Sequence, residues 1–94
     1  MGVMRAIVAV LAFASVTAYA APPAGAAACS GCHASSASIA TPVPRLAGRD
    51  AADIVKAMQE FRAGTRPATV MDRIAKGFTE DETRAIAAWF AGQR

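Results

Sequence analysis

Cys29-Ser30-Gly31-Cys32-His33 gathers the residues best suited to chemistry in this 94-residue chain. Two thiols three positions apart, with an imidazole directly after the second, form the C-x-x-C-H pattern of covalent c-type haem attachment. Each thiol can add across one haem vinyl group, and the two-residue spacer matches the separation of those vinyls. The histidine then lies under the iron as an axial ligand. Ser30 and Gly31 are small, so the backbone can bend closely round the edge of the macrocycle. Two other chemistries draw on the same residue types. A redox dithiol needs a βαβ setting, and no strand-like run occurs here. A zinc site needs about four donors. With two cysteines and one histidine in the chain, carboxylates or a second chain would have to complete it. Haem attachment is the reading that the pattern favours.

An iron held by His33 alone has an open position on its other side. Electron carriers commonly close it with a methionine thioether, which raises the reduction potential. Beyond residue 20 the methionines are Met58 and Met71. Met58 falls on an apolar helix face with Ile54 and Phe61, and reads as a core filler. Met71 follows a proline-containing loop, precedes the terminal helix and has no comparable apolar stripe to join. It is assigned as the second axial ligand.

The elements that must position these groups begin with a leader. Residues 1–20 read as a secretory signal peptide, with Arg5 as the positive start, Ala6 to Ala14 as the apolar run and Ala18-Tyr19-Ala20 as the cleavage site. The run is too short for a membrane span of about 20 apolar residues; an uncleaved anchor is the alternative. Because c-type haem is attached outside the cytoplasm, export places the product in a bacterial periplasm, with no membrane contact after cleavage. Residues 21–94 then form one monohaem domain. Ten basic residues less Arg5, against seven acidic ones, leave it near +2. These scattered charges are no nucleic-acid footprint. A domain this small seldom builds a sufficient core unaided, so the chain without haem is expected to fold poorly.

The fold expected is all-α. Residues 26–33 predict a helix of about two turns carrying both thiols. The serine-rich stretch 34–40 predicts a loop. Pro42 and Pro44 then forbid a helix interior or central strand, leaving a stiff segment that can press on a haem face, with a plain connector as the alternative. Asp50 reads as an N-cap, Ile54, Ala57, Met58 and Phe61 as one face, and Gly64 as the stop. A short helix is expected over 70–76. Thr79 and Glu82 form a capping box for a last helix from about Glu80 to Ala91. Ile86, Trp89 and Phe90 form its apolar face, with Ala85 and Ala87 beside them, and Gly92 closes it. Trp89 and Phe90 are expected to pack this helix against the Cys-bearing one. Arg45, Arg73 and Lys76 are candidates for the haem propionates or for a partner, with plain solvation as the alternative.

Over residues 21–94 this arrangement resembles the class I cytochromes c. The resemblance implies a small all-α fold wrapped around one covalent haem c, with Cys29, Cys32 and His33 in the attachment motif. It implies that Pro44 and Leu46 match the proline-leucine element whose proline carbonyl accepts a hydrogen bond from the ligand histidine. Met71 matches the loop methionine before the last helix. Two segments, Met71 to Thr79 and Met58 to Gly64, are similar to the cytochrome subunit of flavocytochrome c sulfide dehydrogenases. That likeness implies a flavoprotein sulfide dehydrogenase subunit as partner, along with other redox proteins, and no catalysis by this chain itself. It also suggests apolar side chains at the haem rim, with Val43, Val70 and Phe78 as candidates. A free class I carrier serving a terminal oxidase or reductase is the other main reading. A His-only haem that binds gaseous ligands is a third.

Overall fold

The computed structural model describes residues 21–93 together with Gly2, Ala12, Ala14 and Ser15. Arg5 and the cleavage site Ala18-Tyr19-Ala20 lie outside the described residues. Four helices follow one another in this order: α1 (Ala26–Cys29), α2 (Ala51–Ala63), α3 (Met71–Ala75) and α4 (Glu80–Ala91). No strand occurs among the described residues.

Local chemistry sets the ends of the two long helices. The Asp50 carboxylate accepts the Asp53 N–H at 3.1 Å, which satisfies one of the donors that a helix start leaves free. At the far end Gly64 takes a left-handed conformation (φ 76°) that a side chain would disfavour, and α2 stops there. For α4 the capping box is complete. Thr79 Oγ1 accepts the Glu82 N–H at 3.1 Å, and the Thr79 N–H donates to Glu82 Oε1 at 2.9 Å. Gly92 caps the other end in ordinary right-handed geometry, so its role there is not conformational.

The two short helices depart from expectation. In α3 Val70 is the N-cap and Lys76 the C-cap, so each end is one residue inside 70–76. In α1 the helix proper stops at Cys29. Beyond it the chain keeps turning, but the bonds tighten: Gly31 N–H donates to Ala28 and Cys32 N–H to Cys29, both at 3.2 Å. Four helical residues with no side-chain cap cannot propagate a regular helix against a glycine.

Packing joins the start of the domain to its end. Ala26, Ile54, Ile86, Ala87 and Phe90 form the buried cluster, with Cys29, Leu46, Val55, Phe78 and Trp89 half-buried around it. Helix α2 packs on both α3 and α4. Gln59 bonds Glu80 across the α2–α4 contact at 2.9 Å, and Arg62 reaches the Phe78 carbonyl at 3.0 Å. The buried face of α4 is Thr83, Ile86, Ala87 and Phe90, the i, i+3, i+4, i+7 pattern of one helix side. Ala85, expected beside this face, is exposed. Helix geometry overrides hydropathy here: a threonine in phase is buried and an alanine out of phase is not.

Candidate functional site

Gly25 opens the site. Its left-handed conformation (φ 89°) starts α1, and a Cβ there would fall 2.5 Å from the Phe78 ring and 3.3 Å from Ile86 Cδ1. Glycine therefore lets the Cys-bearing turn lie directly on the α4 end of the core. Cys29 ends the helix half-buried, its Sγ 3.5 Å from the Gly25 carbonyl. Burial pushes this thiol above its usual range, partly offset by a hydrogen bond with the backbone. Cys32 follows in the turn and is exposed. The His33 N–H donates back to the Cys29 carbonyl at 2.9 Å, so imidazole and first thiol share one turn.

The imidazole is fixed from its other side as well. His33 Nδ1 lies 2.6 Å from the Pro44 carbonyl oxygen. A carbonyl can only accept, so Nδ1 carries the hydrogen. In the neutral ring the free lone pair is then on Nε2, the form that an imidazole ligand needs. This is the histidine–proline contact that the resemblance implied. Pro44 can offer its carbonyl because two prolines keep this segment out of regular structure.

Arg45, a propionate candidate, is engaged elsewhere. Its Nε and Nη2 donate to the Ser35 carbonyl at 3.2 and 2.9 Å. No spacing rule in the sequence points to that contact. Arg73 and Lys76 are both exposed. Met71 is half-buried at the first position of α3. Met58 is also half-buried, so it fills the core only in part. It lines a groove of about 460 Å³ with Val55, Gln59, Arg62 and Ala75. Of the candidate rim residues, Val70 is 48% exposed. Val43 is half-buried, and Phe78 packs on the core because Gly25 makes room for it. Ile74, one turn after Val70, is 37% exposed.

The residues fit a haem. Two free thiols sit on one turn with an imidazole whose Nε2 is free to bind. Among the described residues no large side chain is fully buried, while Ile39, Val70 and Ile74 face outward, so the protein's own side chains make a thin core. A large apolar group attached at two points answers both observations. Among the described residues no three His, Cys, Asp or Glu side chains converge on a point where a metal ion could sit. Cys29, Cys32 and His33 are thus spread along the turn and do not form a tetrahedral cage.

Comparison with known proteins agrees. The cytochrome subunit of sulfide dehydrogenase from Chlorobaculum tepidum is 36% identical over 59 residues, 63% of this chain and 54% of that protein. A cytochrome c-552 from Acidithiobacillus ferridurans is 39% identical over 60 residues, 64% of this chain and 26% of its own length. No family model matches. The chain resembles the class I cytochromes c. That likeness implies covalently bound haem c, and the all-α fold is consistent with the small one of that class. The chain spans about half the length of the first relative and about a quarter of the second.

Proposed function

We propose that the cytochrome is a periplasmic electron-transfer protein, residues 21–94 forming one monohaem domain behind a cleaved signal peptide. In this reading Cys29 and Cys32 make the two thioethers, and His33 and Met71 are the axial ligands. The observation that carries it is the 2.6 Å bond from His33 Nδ1 to the Pro44 carbonyl, which leaves Nε2 as the donor atom. When bound, the haem supplies a one-electron couple. The polypeptide's share is to hold that couple still. The Pro44 carbonyl fixes the ring's orientation and makes the imidazole a stronger donor. The turn from Cys29 to His33 keeps thiols and imidazole in one rigid unit, and the Met71 thioether favours the reduced state.

The cytochrome's place is as the haem subunit of a sulfide-oxidising flavocytochrome c. A separate flavin chain would oxidise sulfide, and this chain would pass the electrons singly to a soluble acceptor. The Chlorobaculum tepidum relative and the segments Met71 to Thr79 and Met58 to Gly64 support that place. Val70 and Ile74, exposed on either side of Met71, give it an apolar contact of the kind a lasting interface uses. The test is co-expression with a flavoprotein encoded beside it, followed by gel filtration and addition of sulfide. Co-elution and haem reduction by sulfide are expected. Separate elution, with no reduction in the mixture, would leave the cytochrome as a free carrier.

A further inference from the structure

We infer that Arg45 is a positioning residue for the axial imidazole, acting through the loop that carries Pro44. The inference rests on His33 being the iron ligand. Residues 34–44 leave the imidazole and return to it as an 11-residue excursion with no charged side chain and no helix. Their internal side-chain bonds are short-range: Ser36 to Ser38 within the loop's first half, and Thr41 to Val43 in its second. None of these crosses from one limb to the other. Two contacts do. One is His33 Nδ1–H to the Pro44 carbonyl at 2.6 Å. The other is the Arg45 guanidinium, which straddles the Ser35 carbonyl with Nε at 3.2 Å and Nη2 at 2.9 Å.

The two ties interlock. His33 and Ser35 lie on one limb, Pro44 and Arg45 on the other, and each limb gives one donor and one acceptor. The Pro44 carbonyl cannot be held by its own residue, since proline has no N–H with which to join a backbone ladder. Its register against His33 is therefore set by its neighbour. The guanidinium suits this work because it is planar, and two of its N–H groups reach one oxygen from a fixed fork. A lysine ammonium at this position would keep the charge and lose the fork. Closing a flexible loop costs entropy; without the Arg45 tie the histidine–proline bond has to meet that cost alone.

The inference separates position from charge. In the ferrous holoprotein the His33 ring N–H should give a resolved NMR signal that exchanges slowly with solvent. Arg45→Ala and Arg45→Lys should both speed that exchange by about tenfold, as losing one hydrogen bond of ordinary strength implies. Both should also move the midpoint potential in the same direction. Arg49→Ala, which removes an exposed charge from the same segment, should leave ring exchange unchanged. If Arg45→Lys matches the unmutated protein while Arg45→Ala does not, charge is what matters and the positioning role is overturned. Unchanged exchange in both variants overturns it as well. A wild-type holoprotein with no ligand-histidine signal would remove the axial role of His33 itself, and the inference with it.

Discussion

At the scale of single residues, the proposed methionine ligand is the sharpest question. Met58 and Met71 are both half-buried, so exposure does not separate them. Position does: Met58 is fixed mid-helix in α2 beside Gln59 and Arg62, whereas Met71 stands at the first turn of a five-residue helix between exposed Val70 and Ile74. A ligand must meet the iron at a set distance, and a short helix after a loop adjusts more easily than the middle of a long one. Met71→Ala should abolish the weak far-red band of methionine ligation in the ferric spectrum, and Met58→Leu should retain it. The reverse pattern would move the ligand to α2. Much at this scale was readable from spacing, since C-x-x-C-H names its own chemistry. The Arg45 tie was not, because a contact between residues on two limbs of an irregular loop leaves no periodic trace.

The elements were legible in proportion to their caps. Asp50 and Gly64 bound α2, and Thr79 with Glu82 starts α4, each through a local interaction that a few neighbouring residues specify. Helix α1 was overestimated because no cap marks its end; tightening turns decide it. The capping box also gives α4 an acid limit. Hydrogen bonds from Thr79, first its backbone and then its side chain, hold the Glu82 carboxyl below its ordinary value of 4.5. A carboxyl depressed in the folded state contributes stability at pH values above its unfolded pKa. That contribution falls away as pH drops from there through the lower folded value. In thermal melts between about pH 6 and about pH 3, Glu82→Gln should be less stable than the parent at the upper end and should flatten the acid limb. Parallel curves would show that the box contributes nothing through its charge. Surface pairs such as Arg84 with Glu80, 3.7 Å apart and exposed, should matter far less.

For the whole molecule the deciding fact is how little the polypeptide buries by itself. Ala26, Ile54, Ala75, Ile86, Ala87 and Phe90 are its buried apolar residues among those described. Two of the larger apolar side chains, Val70 and Ile74, remain open to solvent beside Met71. Small domains of this length need a staple, and covalent haem is the one available. The variant carrying both Cys29→Ala and Cys32→Ala should therefore retain no haem after acidified-acetone extraction, and should lose most of its far-UV helical signal. A colourless variant with full helicity would mean that the side-chain core suffices. That dependence is an expectation that length and composition alone suggest. They do not suggest the choice of Thr83 over Ala85 for the core, because it depends on the phase of α4 against α1 and α2.

Gly25 has one more consequence, and it concerns time. Because its bare α-carbon admits Phe78 and Ile86, the first ordered turn of the domain finds its packing partners almost at the other end of the polypeptide. A chain emerging N-terminus first presents Cys29 and Cys32 before the α4 residues of the cluster that Cys29 packs against. During that interval both sulfurs are reachable from every side, and no finished wall stands in the way of a macrocycle. Once α4 forms, Ile86, Ala87 and Phe90 complete the buried cluster against which Cys29 packs, while Cys32 stays exposed. The glycine thus does more than relieve a clash: it joins the turn that carries the thiols to Phe78 and Ile86, so the packing around that turn is complete only once both segments are in place.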